Sequence, residues 1–130
     1  MPTILVVDDH PTNRELLKAL LAPKGYGMLE AGDGVQGLKV ARESRPDLIL
    51  SDIVMPHMNG FHFAQELLLH PETADIPVIF LSAYPVSERT EVMAAAYGVR
   101  YVLRVPIEPD VIYRAVNAVF AKKKSGQLQP

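Results

Sequence analysis

The chain has 130 residues, of which 48% are hydrophobic and 22% charged, and its formal net charge at pH 7 is −2. This length and composition predict one globular domain rather than a disordered chain, and the near-neutral charge argues against direct nucleic-acid binding. The chain has no cysteine and no apolar run of the roughly 20 residues that cross a membrane, which excludes disulfides and predicts a cytoplasmic protein without membrane contact.

The first two predicted elements are a strand and a helix. Residues 3–7 form an apolar run, as expected of a strand buried on both faces. From Thr12 the apolar spacing becomes helical, and Pro23 and Gly25 mark where this helix ends. Its apolar stripe consists of Leu16, Leu17, Leu20 and Leu21.

The same exchange of strand and helix is repeated along the rest of the chain. The further predicted strands are 28–30, 48–51, 78–81 and 101–104. The further helices are predicted at 34–43, around Phe63, Leu67 and Leu68, at 87–97, and from Pro109 onward. The last helix has an apolar face made of Val111, Ile112, Ala115, Val116, Val119 and Phe120. Alternating strands and helices predict an α/β fold, with a parallel sheet covered by helices on both faces.

The domain is predicted to end near the last of these helices. We expect residues 1–122 to form the domain and residues 123–130 to be a C-terminal tail or the start of a linker. The tail contains lysines followed by serine, glycine, glutamine and proline, a composition typical of solvated segments.

Polar residues follow the ends of three of the predicted strands. Asp8 and Asp9 follow the first strand, Asp52 follows the third and Ser82 follows the fourth. Ligands of open parallel sheets bind beyond the carboxyl ends of the strands, so we expect these residues to share one crevice. Carboxylates this close repel one another unless a cation neutralises them, and hard oxygen donors favour Mg²⁺ or Mn²⁺.

Each of the three aspartates, taken alone, also has a purely structural interpretation. Asp8 or Asp9 would serve as a helix N-cap, and Asp52 would serve as a turn residue. The combination of three acids and a hydroxyl at the strand ends favours a functional site. His10, beside the acidic pair, is within reach of a metal ion or an incoming donor, but a position at a solvent-exposed rim is expected. The other histidines are expected at the surface; they are His57, His62 and His70.

These features occur together in one known family. The segments that carry the resemblance are 4–9 (ILVVDD), 48–52 (LILSD), 55–60 (MPHMNG), 80–83 (FLSA) and Pro106. In them the chain resembles the receiver domains of bacterial two-component response regulators, over essentially its whole folded length. The resemblance implies a flavodoxin-like three-layer sandwich, with a doubly wound five-stranded parallel sheet of order 2-1-3-4-5.

The resemblance also implies roles for individual residues. Asp52 would be the phosphoacceptor and would form an aspartyl phosphate, which Ser82 approaches with its hydroxyl. Asp9, Asp52 and the backbone carbonyl of Val54 would bind Mg²⁺ directly, and Asp8 would act largely through bound water.

The implied function is a phosphorylated signalling switch. Its phosphodonor would be a histidine kinase or phosphotransfer protein, and its target a downstream effector domain or protein. It would be no enzyme beyond self-phosphorylation and autodephosphorylation at Asp52. Relatives also pair through the face formed by residues 88–97, the fifth strand and the last helix, which leaves a homodimer open.

Two positions depart from the family pattern. Members usually carry a lysine immediately before the proline that follows the fifth strand, and here that residue is Val105. Arg104 is adjacent, but successive side chains of a strand face opposite ways, so we expect it to point away from Asp52. The usual switching aromatic is replaced by Val102. We therefore expect Asp52 to bind Mg²⁺ but to be phosphorylated weakly, or the domain to signal by another route.

Two other functions remain as alternatives. A pseudo-receiver would keep the fold and bind partners regardless of phosphate, which Val105 and Val102 favour and the intact acids oppose. A phosphohydrolase of the haloacid-dehalogenase type would place two aspartates two positions apart after the first strand. Here Asp8 and Asp9 are adjacent, which disfavours that alternative.

Overall fold

The computed structural model describes residues 1–127, with side chains as far as Lys122. The strands in this range are β1 (Thr3–Val7), β2 (Gly27–Ala31), β3 (Leu48–Asp52), β4 (Val78–Ser82) and β5 (Val99–Arg104). The α-helices are α1 (Pro11–Leu21), α2 (Gly34–Ser44), α3 (Gly60–Leu69), α4 (Glu88–Ala96) and α5 (Pro109–Gln127). The strands pair in parallel in the order β2-β1-β3-β4-β5, which confirms the predicted fold and strand order.

Helices cover both faces of this sheet, and each face has its own apolar core. On one face Leu5 and Val7 of β1 pack with residues of α2, α3 and α4, among them Phe63. On the other face Ile4 and Val6 of β1 pack with residues of α1 and α5. The alternation of neighbouring β1 side chains between the two cores is the reason that the whole run is apolar.

The helices bury fewer of their apolar residues than the sequence pattern predicts. Leu17 and Leu21 of α1 are buried, whereas Leu16 is 51% exposed. Leu68 of α3 and Val111 of α5, which belong to the apolar residues that predicted these helices, are exposed as well. A helix that packs on a sheet along one line buries residues three or four positions apart, so neighbours of buried residues reach solvent.

Gly37 lies inside α2 at a point where a larger residue would not fit against β1. A Cβ atom at Gly37 would lie 3.0 Å from Cγ2 of Val7, closer than packed side chains tolerate. Gly37 therefore allows α2 to lie directly on β1, which compensates for the low helix propensity of glycine.

The C-terminal helix extends further than expected. Helix α5 continues to Gln127, past the position where the sequence predicted a tail, and residues 128–130 lie outside the described residues. The domain boundary at residue 122 stays a prediction. Within the described residues no helix is both long and apolar enough to cross a membrane.

Candidate phosphoacceptor and metal site

Parallel pairing of β1 and β3 brings the acidic residues together. Val7, the last residue of β1, pairs with Ser51, so Asp8 follows one strand beside the point where Asp52 ends the other. One potential ligand atom from each of four residues lies within 4.8 Å of the other three. The four residues are Asp8, Asp9, His10 and Asp52. The structure thus brings the three predicted acids into one group and adds His10 to it.

Helix capping does not account for the acidic pair. The N-cap residue of α1 is His10, whose side chain makes no capping hydrogen bond. Asp8 is 4% exposed, and its carboxylate accepts hydrogen bonds from the His10 backbone N–H at 2.8 Å and from the Asn13 side chain at 3.2 Å. Arg14 donates to the Asp8 backbone carbonyl and pairs with Glu30. These contacts fix the orientation of Asp8 and keep its carboxylate in the crevice.

One carboxylate oxygen of Asp9 lacks a hydrogen-bond partner within the protein. Its Oδ1 atom is buried and makes no hydrogen bond, although the Nδ1 atom of His10 lies 3.2 Å away. A buried charged oxygen without a partner is costly, and a bound cation removes that cost. Hard carboxylate oxygens that converge on one point are the ligands that Mg²⁺ and Mn²⁺ prefer. The residues present therefore fit a divalent cation.

The charge on Asp52 is disfavoured by its surroundings. Partial burial and the neighbouring Asp8 carboxylate raise the pKa of Asp52 to about 6, although the backbone N–H groups of Val54 and Ile53 oppose this shift. The Val54 N–H donates to Asp52 Oδ1 at 3.3 Å. A cation beside Asp52 would favour the ionised carboxylate and reverse the shift.

A cavity of about 410 Å³ opens beside the acids. Its polar lining consists of Asp8, His10, Asn13 and Asp52, and the rest of its wall is apolar. The apolar wall includes Leu16, Leu17, Leu81, Ala83, Val105, Pro106 and Ile107. Among the side chains that the structure describes, no lysine or arginine lines this cavity. The exposed Leu16, which the apolar pattern assigned to the core, belongs to this wall.

Of the two positions expected to depart from the family pattern, Val102 lies within β5, partly buried against the core under α2, α3 and α4, and Val105 follows the strand. Val105 lines the cavity, and its backbone N–H donates to the Ser82 carbonyl at 2.9 Å. Arg104 is exposed and lies outside the cavity wall, as the alternation along a strand predicts. The peptide bond between Val105 and Pro106 is cis. Among the described residues, no lysine or arginine therefore takes the place of the usual lysine within this cavity.

Ser82 is held by its own loop. It is buried at the end of β4, and its hydroxyl donates to the Tyr84 carbonyl at 2.9 Å and accepts from the Tyr84 N–H at 3.3 Å. In this structure the hydroxyl is therefore hydrogen-bonded to the loop after β4. A new acceptor at Asp52 would compete with the Tyr84 carbonyl for this donor.

The sequence placed the acids together but did not point to two residues that hold them. His10 was expected at a solvent-exposed rim; its side chain is 65% exposed, yet one of its nitrogens belongs to the ligand group. Asn13 and Arg14, which bind Asp8, were not singled out. Their positions one turn into α1, directly above the acidic pair, are the signal that could have identified them.

Comparisons with known proteins agree with this geometry. A family model described as the response regulator receiver domain matches residues 4–117. Protein PilH of Pseudomonas aeruginosa is 38% identical over 121 residues, which is 93% of this chain and 99% of that protein. Among solved structures, the chemotaxis protein CheY4 of Vibrio cholerae has a TM-score of 0.86 at 28% identity and covers 92% of this chain and 98% of its own.

One further structure has an ion in the corresponding cleft. The receiver domain of the sensor histidine kinase PA1611 of Pseudomonas aeruginosa, which has a magnesium ion coordinated in its active site cleft, has a TM-score of 0.83 at 26% identity and covers 92% of this chain and 98% of its own. Three observations lead to one conclusion. The family model matches most of the chain, one relative has nearly the same length, and the strand order is the one that the resemblance implies. The chain belongs to the family of response regulator receiver domains, the signalling switches of two-component systems.

Proposed function

We propose that this receiver domain is the phosphoacceptor switch of a phosphorelay, with Asp52 as the residue that is phosphorylated. The observation that carries the proposal is the convergence of Asp8, Asp9 and Asp52 at the carboxyl ends of β1 and β3. The phosphodonor is a phosphohistidine of a histidine kinase or phosphotransfer protein. The reaction makes a transient phosphoprotein rather than a released product.

The metal set of the proposal comprises Asp8, Asp9, Asp52 and the backbone carbonyl of Val54. A Mg²⁺ ion bound there would screen the charge between the carboxylate and the phosphoryl group and align the two. The orphaned Asp9 Oδ1 and the raised pKa of Asp52 support this assignment, because a cation would relieve both. The magnesium ion in the related PA1611 receiver domain also supports it.

The transfer exchanges one bond for another. A carboxylate oxygen of Asp52 forms a bond to phosphorus while the bond between phosphorus and the donor imidazole nitrogen breaks. The imidazole leaves with the electron pair of that bond and is protonated by solvent. The reaction requires ionised Asp52, and the roles of the protein are positioning and charge stabilisation.

The phosphoryl group would act on the loop after β4. Its oxygens offer acceptors for the Ser82 hydroxyl, which in this structure bonds to Tyr84. Moving that hydrogen bond from Tyr84 to the phosphoryl group would release the loop and change the surface beside α4. A downstream effector domain or protein, or a second copy of the chain, would bind that changed surface in the cytoplasm.

The pseudo-receiver remains the second candidate, and one observation favours it. Apart from its polar lining, the wall of the cavity that contains Asp52 is apolar and carries no lysine or arginine among the described side chains. A phosphoryl group there would lack a cation to pair with beyond the metal ion. Under this alternative the domain would bind its partner equally well with and without phosphate.

Mass spectrometry of the intact protein after exposure to a small phosphodonor separates the two candidates. We expect the mass of one phosphoryl group to be added in the presence of Mg²⁺, and not after Mg²⁺ is removed with a chelator. The Asp52→Asn variant should remain unmodified, while Asp75→Asn, at an exposed aspartate remote from the acids, should behave as the wild type. No uptake by the wild type at saturating Mg²⁺ would rule out the phosphoacceptor function.

A further inference from the structure

The histidine beside the acids makes this cluster chemically different from a site built of carboxylates alone. His10 Nδ1 lies 3.2 Å from Asp9 Oδ1 and 3.4 Å from Asp8 Oδ1. Adjacent ligands of one octahedral ion with bonds near 2.1 Å are separated by about 3 Å. The imidazole nitrogen is therefore placed at the spacing that a shared ion would require, without a large movement of the backbone.

The only side-chain contacts that the structure records for this nitrogen among the described residues are those with the two carboxylates. The His10 side chain makes no capping hydrogen bond to α1. The nearest carboxylate oxygen, Asp9 Oδ1, is buried and has no hydrogen-bond partner in spite of its short distance to the imidazole. Two potential ligand atoms thus lie side by side, close together but not hydrogen-bonded to each other.

We propose that His10 is a metal ligand that lets this site discriminate among divalent cations. Its imidazole would coordinate Mn²⁺, and more strongly Co²⁺, together with the carboxylates, while Mg²⁺ would be held by oxygen atoms alone. The reason is ligand preference: imidazole suits transition metals, and Mg²⁺ prefers oxygen donors and retains several waters. The inference rests on the proposed function, since it concerns the same cluster of acids.

The position of His10 suits this role. The residue is the N-cap of α1 in an extended conformation, and its backbone N–H is held by Asp8. The two residues before it are the acids themselves. Rotation of the exposed side chain is then sufficient to bring the nitrogen onto an ion or to withdraw it.

The experiment uses Mn²⁺ as a spectroscopic probe of the whole chain. Electron spin-echo envelope modulation of the bound Mn²⁺ should show the modulation of a coordinated imidazole nitrogen in the wild type. The modulation should disappear in His10→Asn, in which asparagine keeps a favourable N-cap. His62→Asn is the matched control, because His62 also lies beside a carboxylate, 3.4 Å from Glu66 on α3; this variant should retain the modulation.

Calorimetric titrations provide the second measurement. We expect His10→Asn to lower the affinity for Co²⁺ about tenfold and to leave the affinity for Mg²⁺ unchanged. Absence of nitrogen modulation in the wild type, its persistence in His10→Asn, or an equal loss of affinity for both metals would overturn the inference. In all three outcomes Mg²⁺ still binds to the wild type, so the proposed function stands. Failure of the wild type to bind any of these cations would overturn both.

Discussion

The carboxyl edge of the sheet has two halves of different character. At the ends of β1 and β3, strand residues are fully buried and place the carboxylates of Asp8 and Asp52 at fixed positions. At the ends of β4 and β5, the cavity lining is apolar and β5 is partly exposed. The acidic half is specified by packing on both faces of the sheet. The facing half is less constrained, so its residues can change without moving the acids.

The largest expected effect concerns the glycine that packs against Asp52, compared with a glycine in the turn before β5. A Cβ atom at Gly60 would lie 2.8 Å from the Asp52 carbonyl oxygen and from Ile53 Cα, both backbone atoms. We expect Gly60→Ala to lower the free energy of unfolding by about 3 kcal/mol, because neither atom can move aside cheaply. The same displacement should weaken Mg²⁺ binding through Asp52.

The comparison variant lies at the opposite edge of the sheet, in the turn before β5. Gly98 has a φ of +80° but open space, with only a Leu68 side-chain carbon 3.7 Å from the added Cβ. Gly98→Ala should cost about 1 kcal/mol, the penalty for a left-handed backbone. Urea unfolding of both variants measures the difference. Equal losses would contradict the claim that the backbone beside Asp52 is too closely packed to accept a Cβ atom at position 60.

A second prediction restores the cation to the apolar wall. Val105 lines the cavity that contains Asp52, so Val105→Lys places an ammonium group where a phosphoryl group would form. We expect phosphorylation of Asp52 by a small acyl phosphate to become about tenfold faster, because the cation stabilises charge in the transition state. Val105→Met, which adds length without charge, should leave the rate unchanged. Equal rates in all three proteins would show that the residue at position 105 does not limit the reaction.

A third prediction concerns pH and the metal-free protein. The pKa of Asp52 is about 6 in the folded state, against about 3.9 in an unfolded chain. The folded state therefore holds this proton more tightly, so the contribution of Asp52 to stability is complete below about pH 4 and is lost as the pH rises through 6. At about pH 8, Asp52→Asn should exceed the wild type in unfolding free energy by about 1 kcal/mol, a figure reduced for the solvent screening of a half-exposed group.

Thermal unfolding at several pH values checks this prediction. The advantage of Asp52→Asn should shrink as the pH falls toward 4, and saturating Mg²⁺ should remove it, because the wild-type carboxylate then has a cation partner. An advantage that is independent of pH would indicate that Asp52 is not the group that destabilises the metal-free cluster.

The sequence predicted the acidic half of the site better than its surroundings. Local rules identify the unbroken apolar strands and the acids that come after them. The strand order then predicts that Asp8, Asp9 and Asp52 converge. The exposure of Leu16 was not, since the helical stripe contains four leucines and only the packing of α1 on the sheet decides which are buried. The sequence left two interpretations of His10 open, contact with the site or an exposed rim, because the side-chain direction at an N-cap does not follow from spacing.

The central claim is that the clustered acids make Asp52 the residue that accepts the phosphoryl group. The most direct test is to expose the Mg²⁺-loaded chain to a phosphodonor, trap any acyl phosphate by borohydride reduction, and locate the reduced residue by tandem mass spectrometry. The account predicts conversion at Asp52 alone, and only when Mg²⁺ is present. Conversion at another carboxylate, or none at any aspartate, would contradict it.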